Sequence, residues 1–457
     1  MEWILDQAVH LLQNVALCDR CLGRQFGNLL TGLTNKQRGF ALKVVLGLHS
    51  EWQTQLGNDL ETNRDFLRIL LRSGFTSTRE SSIADNMPDY HAVDCELCQG
   101  LFSDTNLANF ARLAVEAGSN VHFGTFLMGS VFPASFLERE DELRAKFNLN
   151  FGESMKSELN REVGKVVGES LGDQIEVEFD NPDVVFVVML QSLENPRLRL
   201  QINPIFIMGR YKKLIRGIPQ AKWDCRVCGG AGGECPHCKG TGKLYETSVA
   251  ELVFQPLVEL FNSSGAKFHG SGREDIDARM LGTGRPFIVE LKEPKFRNVD
   301  LIKAESRINQ HAIGKVEVTL TEFVNRDKVR EIKTRSSLMT KQYEMTVELG
   351  EEIPLTYEKL EEITSFFSNR EIKQRTPTRV SHRRADKVRI RKVLELKLEV
   401  DKEVVKRLTV KILCEGGLYV KELVSGDNSR TTPSLAEMLG VEVVPLTLDV
   451  LAVHSEN

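Results

Sequence analysis

The sequence predicts an α+β protein whose C-terminal half contains a mixed, largely antiparallel sheet. At 457 residues the chain is longer than one compact core accommodates, so we expect two to four domains. After residue 246, helical and strand-like patterns alternate without the regular strand–helix repeat of a doubly wound fold. Four C-x-x-C pairs indicate that small metal-binding modules accompany this sheet.

The composition is that of an ordinary globular protein, with 41% hydrophobic and 27% charged residues. The longest apolar run is short, "VVFVVML" at residues 184–190, so we expect no membrane-spanning helix. The N-terminal "MEWILDQAVH" lacks the basic-then-apolar order of a secretory signal. We therefore expect a cytoplasmic protein without a membrane partner. Because the net charge is −4, a nucleic acid would have to be bound by local basic patches.

Eight of the nine cysteines predict two structural zinc sites. Each C-x-x-C places two thiolates on one tight turn, and two such pairs fill a tetrahedral site, leaving no position for substrate. A single pair would also suit a thioredoxin-like redox site, but four pairs favour metal. Disulfides fit poorly with a chain that lacks a signal peptide. We assign Cys18, Cys21, Cys95 and Cys98 to one site and Cys225, Cys228, Cys235 and Cys238 to the other. Cys414 is expected to be a buried strand residue.

These landmarks divide the chain into four regions. Residues 1–100 form an N-terminal helical, zinc-binding region, with amphipathic patterns at 3–17, 36–48 and 65–73. Residues 101–223 form a second domain, in which a helix at 154–169 precedes the strand-like runs "QIEVEF", "DVVFVVML" and "RLRLQI". Residues 224–245 form a zinc module and linker, and residues 246–457 form the largest unit. Its helical patterns are 249–261 and 357–367, and its strand patterns are 287–292, 315–320, 343–349, 388–400, 407–413 and 441–446.

Two basic stretches are candidate RNA-binding surfaces. Residues 206–223 carry five basic residues and no acid, interleaved with Tyr211 and Trp223. Residues 370–392 carry ten basic residues against two acids. Such self-repulsion is tolerated where phosphates neutralise it, although a solvated face is the alternative interpretation. Together with the zinc modules, these stretches favour RNA as the partner.

The stretch "GREDIDARMLGTGRPF", residues 272–287, interleaves acids and arginines with glycines and suits neither a core nor a helix. It resembles the catalytic loop of the archaeal and eukaryotic-type tRNA pseudouridine synthases that act on the T-loop. Four further stretches resemble the same family: "LCDRCLGRQFGNLLTGLTNKQRGFALK", "GRYKKLIRGIPQAKWDCRVCGG", "IKQRTPTRVSHRRADKVRIRKV" and "GGLYVKELVSGDNSRTTPSL". The family usually has Gly-Arg-Thr where this chain has Ser429, Arg430 and Thr431, and residues 52–90 show no match.

The resemblance implies a THUMP-containing region that binds tRNA and a C-terminal pseudouridine synthase domain. The implied activity is isomerisation of uridine to pseudouridine at T-loop positions 54 and/or 55, by a monomer. Asp275 is implied as the nucleophile, Lys421 as its basic partner and Arg273 as a residue that helps to open the RNA. Tyr343 would stack on the flipped uridine. The remaining predicted substrate-binding residues, taken from the basic stretches and the C-terminal motif, are Arg210, Lys212, Lys213, Arg375, Arg379, Arg383, Arg384 and Arg430.

The chemistry accounts for these residue types independently of the family. Isomerising uridine breaks its N-glycosidic bond, turns the base and joins C5 to the ribose, with no redox step, so no organic cofactor is required. An ionised carboxylate can attack the sugar or serve the deprotonation step, and a cationic partner keeps it ionised in a dry pocket. The target base must also leave its stack. Asp277, two residues after Asp275, remains the alternative carboxylate.

Two other functions compete with this interpretation. Another THUMP-type tRNA-modifying enzyme would need a cofactor or ATP loop, and "GTGR" lacks the lysine–serine ending of a phosphate loop. A non-catalytic, zinc-dependent RNA-binding protein is the second alternative. "CRVCGGAG" and "CPHCKGTG" fit the zinc repeat of DnaJ-type chaperones, but only two repeats occur and a His-Pro-Asp motif is absent from the sequence.

Overall fold

A computed structural model describes residues 2–57, 60–75, 93–191, 195–335 and 339–454. The chain forms two compact units, Met1–Asn203 and Pro204–Asn457. No helix within the described ranges combines the length and apolar character needed to cross a bilayer. Much of the 52–90 stretch that matched no family pattern lies outside these ranges, since residues 76–92 are not among them.

The first unit combines seven helices with a four-stranded sheet in its described residues. The elements are α1 (Glu2–Asn14), α2 (Asp19–Arg24), α3 (Asn35–Gln55), α4 (Leu60–Arg72), α5 (Asp104–Gly118), β1 (Thr125–Val131), α6 (Ala134–Phe147), α7 (Met155–Leu171), β2 (Glu176–Val177), β3 (Val184–Met189) and β4 (Arg197–Ile202). The strand order is β2-β1-β3-β4. Strand β1 pairs in parallel with β2 and β3, and β3 pairs antiparallel with β4. The parallel pairs are possible because α6 and α7 provide the crossover after β1.

Side-chain periodicity explains how these elements share one core. Burial alternates along β1, where Phe126 and Met128 are buried. Helix α7 begins after Ser154, whose side chain accepts a hydrogen bond from the Ser157 backbone N–H. Its buried face carries Leu159 and Val163 and joins the same core cluster as the helices of residues 1–100. We predicted residues 1–100 and the following segment as separate domains, and the shared core instead makes them one unit.

In its described residues, the second unit is dominated by one ten-stranded sheet. Its elements are β5 (Ile205–Lys213), α8 (Val249–Leu260), β6 (Gly265–Gly270), β7 (Ala278–Lys292), α9 (Leu301–His311), β8 (Val316–Val324), α10 (Arg326–Arg335), β9 (Thr340–Pro354), α11 (Tyr357–Phe367), β10 (Arg370–Arg375), β11 (Val388–Glu399), β12 (Val404–Glu415), α12 (Val420–Ser425), β13 (Thr431–Thr432), α13 (Leu435–Leu439) and β14 (Val443–His454). The strand order is β13-β10-β11-β12-β9-β14-β7-β5-β8, and β6 pairs with β7.

All pairings in this sheet are antiparallel except β14 with β7. The predicted α+β class and the largely antiparallel C-terminal sheet are therefore confirmed. Strands β7, β14 and β9 are neighbours at the centre of the sheet, although they lie far apart in sequence. This adjacency brings the loop before β7 close to the side chains of β9.

The boundary between the units differs from the predicted one at residue 223. Strand β5 pairs antiparallel with both β7 and β8, so residues 205–213 belong to the second unit. Burial alternates along this strand, and Tyr211 and Lys213 point into the interior. The basic stretch at 206–223 therefore begins as an internal strand, whereas we predicted it to close an RNA-binding domain.

Candidate active site and metal centres

The loop between β6 and β7 is held by a buried charge cluster beneath it. Glu274 turns its carboxylate inward, where it accepts hydrogen bonds from Tyr211 Oη at 2.8 and 3.0 Å and from Arg285 Nε at 2.9 Å. The side chains of Glu274 and Arg285 are 1% and 2% exposed. Arg285 Nη1 also donates to the Ser271 carbonyl at 3.0 Å. Buried charges that are paired and hydrogen-bonded restrict the loop to one geometry, whereas the side chain of the next residue, Asp275, is partly exposed.

A second set of cations fixes the backbone of the same loop. Lys213 Nζ donates to the carbonyl oxygens of Ile218 at 3.0 Å, Asp275 at 3.1 Å and Ile276 at 3.1 Å. Arg216 Nη1 donates to the Asp277 carbonyl at 2.9 Å. Burial lowers the pKa of the Lys213 ammonium, and the nearby acids oppose this shift. These contacts fix the orientation of the loop backbone.

The predicted RNA contact of Lys213 is therefore not supported, because its ammonium is fully buried and bonded to the protein's own backbone. Arg210 is similarly engaged, with donations to the carbonyls of Thr283 at 2.6 Å, Gly284 at 2.9 Å and Val453 at 2.8 Å. Lys212 lies on the face of β5 opposite to that of Lys213, and it pairs with Glu317 Oε1 at 3.0 Å. Of the three, Lys212 is the residue best placed to meet a phosphate.

Asp275 lies between two cations. Arg379 Nη1 is 2.9 Å from Asp275 Oδ2, and Lys421 Nζ is 3.6 Å from the same oxygen. Lys421 is closer to Asp277 Oδ2, at 2.6 Å. Partial burial of Asp277 opposes ionisation, but this hydrogen bond and the Lys421 charge outweigh it, so the pKa of Asp277 lies below its ordinary value. The expected Lys421–Asp275 approach is present, and Arg379 supplies a closer contact that we had assigned to substrate binding.

Arg379 is itself positioned by an acid. It lies in a 3-10 helix, Thr378–Arg383, and its Nε donates to Glu422 Oε1 at 2.6 Å. The Glu422 side chain is 5% exposed and belongs to α12, which also carries Lys421. One guanidinium thus bridges a buried carboxylate and Asp275, a fork geometry that lysine does not reproduce.

Asp275, Arg379 and Lys421 line a cavity of about 620 Å³. Asp275 has a side chain 32% exposed, and it faces the cavity together with Tyr343 of β9, which is 9% exposed. Burial raises the pKa of the Tyr343 phenol above its ordinary value, so the ring enters the site as a neutral surface. Nine basic and two acidic residues line this cavity, a balance that suits a polyanion. Asp277 lies outside it and is 66% exposed.

The other predicted substrate-binding residues surround this cavity to different extents. Arg384 lines it and lies 3.3 Å from Tyr419 Oη, and Arg273 is exposed with its guanidinium 5.7 Å from the Trp223 ring centre. Arg375 and Arg430 both contact Asp386, at 2.5 and 3.1 Å. The backbone of Arg383 lies in the 3-10 helix, and its side chain lies outside the described residues.

The departure from the Gly-Arg-Thr pattern has a clear backbone consequence. Ser429 adopts φ 61°, the left-handed region that glycine enters at least cost. Arg430, the next residue, donates from Nη2 to the Thr376 carbonyl at 2.6 Å. The serine therefore keeps the turn that a glycine favours, and the following arginine still connects this turn to the loop after β10.

Both groups of four cysteines converge as predicted. Within each group all ligand atoms lie within 4.8 Å of one another. Cys18 and Cys98 Sγ atoms are 3.8 Å apart, as are those of Cys228 and Cys238. A tetrahedral metal with ~2.3 Å bonds to sulfur requires a spacing of about 3.8 Å. Backbone N–H groups of Gly232 and Gly242 donate to Cys228 and Cys238, as expected around thiolates. The donor sets therefore fit a structural metal ion.

Three residues escaped the sequence analysis. Glu274 was assigned no role, yet its buried ion pair with Arg285 anchors the loop. Lys341 lines the cavity two residues before Tyr343 and was not singled out. Glu422 had no role until its contact with Arg379 was seen. The strand alternation of β9 could have placed Lys341 beside Tyr343, whereas the two acids depend on contacts distant in sequence.

Comparison with known proteins identifies the family of the chain. The family model "Pus10, C-terminal" matches residues 206–454, and "Pus10 THUMP domain, archaeal" matches residues 110–188. The chain is similar to proteins named "tRNA pseudouridine synthase Pus10". The Methanopyrus kandleri protein is 41% identical over 99% of both chains. The Methanothrix thermoacetophila protein is 40% identical over 98% of this chain and 94% of its own. Since these relatives match almost the whole length, and the cavity lies in the C-terminal match, the chain belongs to the Pus10 family of THUMP-containing pseudouridine synthases.

Proposed function

We propose that this protein isomerises uridine to pseudouridine in tRNA, at T-loop positions 54 and/or 55. The observation that carries the proposal is the placement of Asp275 in a basic cavity that Tyr343 also lines. The full-length relatives are named as tRNA pseudouridine synthases, which supports the substrate class. The resemblance of residues 272–287 to the catalytic loop of T-loop enzymes supports the position.

In this mechanism the protein binds a flipped uridine in the cavity. Tyr343 provides the face on which the base stacks, a contact of the kind worth roughly 1–3 kcal/mol. Asp275 is oriented by Arg379 and Lys421 and acts on the ribose or in the deprotonation step. The reaction exchanges a C–N for a C–C glycosidic bond without change of oxidation state, so an organic cofactor has no step to perform.

The cations around the cavity divide into positioning and binding groups. Lys213 and Arg216 hold the loop backbone, whereas the side chain of Arg384 is exposed and that of Lys212 is partly exposed. Outward cations release counterions on binding RNA and supply sequence-independent affinity. The uridine that is modified is then the one that reaches Asp275 when the tRNA is bound, and this selects the T-loop.

We propose that zinc occupies both cysteine groups and acts structurally. Four thiolates complete the coordination of each ion, so neither presents an open position for substrate. All of these cysteines are free of disulfides, which is consistent with a reducing compartment such as the cytoplasm. The monomeric state is part of the same proposal.

Mapping the modified uridines on unmodified tRNA transcripts tests this proposal. Transcripts treated with wild-type protein, and with Asp275→Ala as the matched control, are reacted with a carbodiimide that marks pseudouridine and read by primer extension. We expect stops for position 54, 55 or both with the wild type only. Stops confined to another arm of the tRNA would contradict the position, and no stops anywhere would contradict the activity.

A further inference from the structure

Lys341 is a nearly buried cation that the mechanism above does not use. Its side chain lies in the cavity wall, and the residue is 8% exposed. It precedes Tyr343 by two positions on β9, so both side chains lie on the same face of the strand, about 7 Å apart along it. Among the described residues, no hydrogen bond or ion pair involves Lys341 Nζ, whereas Lys213, the other buried lysine of this site, makes three hydrogen bonds.

The surroundings of Lys341 disfavour the charged form of its amine. Burial lowers the pKa of Lys341 to about 8, and the charge of Arg285 acts in the same direction. The other groups that face it are Glu274 and Cys414, whose thiol lies opposite Lys341 on the paired strand β12. A buried charge without a hydrogen-bonded partner opposes folding, and such groups concentrate at functional sites. The simplest explanation is that the substrate supplies the hydrogen-bonding partner of the Lys341 ammonium group.

The position of Lys341 indicates which part of the substrate forms this contact. Arg384, Arg389 and Arg391 line the same cavity with more exposed side chains, as suits contacts to phosphates. Lys341 lies deeper, beside the tyrosine on which the base would stack. A base that enters to this depth brings its carbonyl oxygens, which are the acceptors an ammonium group binds.

We propose that the Lys341 ammonium binds a carbonyl oxygen of the flipped uracil and stabilises the negative charge that the base acquires when its glycosidic bond breaks. This role rests on the proposed pseudouridine synthase function. When C1′–N1 breaks, its electron pair moves onto the base and is shared with the carbonyl oxygens. The base then turns, C5 supplies the electrons for the new C1′–C5 bond, the C5 proton leaves and N1 takes up a proton. Lys341 keeps its proton throughout, so atoms and charge balance without a co-reactant.

The test replaces Lys341 with methionine, which has a similar unbranched shape and no charge. Lys397→Met removes an exposed lysine of β11 and serves as the matched control. Single-turnover tritium release from C5-labelled uridine, tRNA affinity and the thermal midpoint are measured for both variants and the wild type. We expect Lys341→Met to react about 100-fold more slowly, as when one donor to a developing oxyanion is lost. Its affinity for tRNA should be unchanged, and its thermal midpoint should equal or exceed that of the wild type.

Three results would overturn this inference. A wild-type rate for Lys341→Met would show that the amine does not act in the reaction. Weaker tRNA binding with an unchanged rate would identify a phosphate contact instead. A slower rate together with a lower thermal midpoint would identify a structural residue. Wild-type protein that forms no pseudouridine would overturn the proposed function itself, and this inference with it.

Discussion

Arg379 Nη1 lies 2.9 Å from Asp275 Oδ2, whereas the Lys421 ammonium lies 3.6 Å from the same oxygen and 2.6 Å from Asp277. The closest cationic partner of the proposed nucleophile is therefore the arginine. Glu422 holds that arginine from its other side. The orientation of Asp275 thus depends on a contact between the 3-10 helix and the loop before β7.

Arg379→Ala should slow catalysis more than Lys421→Ala. Loss of the nearer charge removes both electrostatic support and a directional hydrogen bond from Asp275, and we expect a decrease of ~100-fold, against ~10-fold for the lysine variant. Arg379→Lys should recover only part of the rate because one ammonium does not bridge both carboxylates. Single-turnover rates for the three variants provide the measurement. A larger loss in Lys421→Ala than in Arg379→Ala would reverse this ranking.

Glu274→Gln should destabilise the second unit and lower turnover together. The change leaves Arg285 as a buried guanidinium without its carboxylate, which costs about 3–5 kcal/mol. Tyr211→Phe removes one hydrogen bond to the same carboxylate and should cost only about 1 kcal/mol. Urea unfolding followed by fluorescence measures both. Equal stability of Glu274→Gln and the wild type would show that the cluster does not hold the loop.

Lys212 and Lys213 are adjacent in sequence but should behave differently. Lys212→Ala should weaken tRNA binding and reduce the slope of log affinity against log salt by up to about 1, the effect of one phosphate contact. Lys213→Ala should leave that slope unchanged and lower turnover, because the loop carbonyls lose their donor. Binding titrations over a range of salt concentrations test the pair. An equal change in slope for the two variants would contradict the different placement of Lys212 and Lys213.

Two zinc ions per chain are expected in purified protein. Cys235→Ser should lower the content to about one and destabilise its module, because a structural zinc contributes folding free energy directly. Cys414→Ser is the control, since Cys414 is buried on β12 outside both groups and burial raises its pKa to about 12. Metal analysis of the three proteins is the measurement. A wild-type content of one ion would remove one of the two sites.

Much of this architecture is predictable from local pattern. The C-x-x-C spacing identified all eight converging cysteines, because each pair lies on one turn. Alternation predicted β9 and β12, and the helical pattern at 154–169 predicted α7. Lys213 was misjudged because a basic run resembles a surface unless the neighbouring strands are known. β5 is paired with β7 and β8 on its two edges, and the inward direction of Lys213 is shown by its burial and by its hydrogen bonds to the loop carbonyls.

The candidate site was predictable only in part. The motif around residues 272–287 nominated Asp275, and a second motif nominated Lys421. The contact between Arg379 and Asp275 joins residues more than a hundred positions apart, and ten basic residues in one stretch were equal candidates for it. Glu274 and Lys341 are identified by their surroundings. Glu274 is paired with Arg285, whereas Lys341 has no hydrogen-bonded partner in the described structure. Neither property is visible in a one-dimensional pattern.

The central claim is that Asp275 performs the chemistry. Single-turnover release of tritium from C5-labelled uridine in tRNA, measured for Asp275→Asn and Asp277→Asn alongside tRNA binding, tests it most directly. The account predicts that Asp275→Asn binds tRNA at least as well as the wild type and releases no tritium above background, because the amide keeps the shape and lacks the charged oxygen. Asp277→Asn should retain measurable turnover, since its side chain lies outside the cavity. Wild-type release by Asp275→Asn would contradict the account.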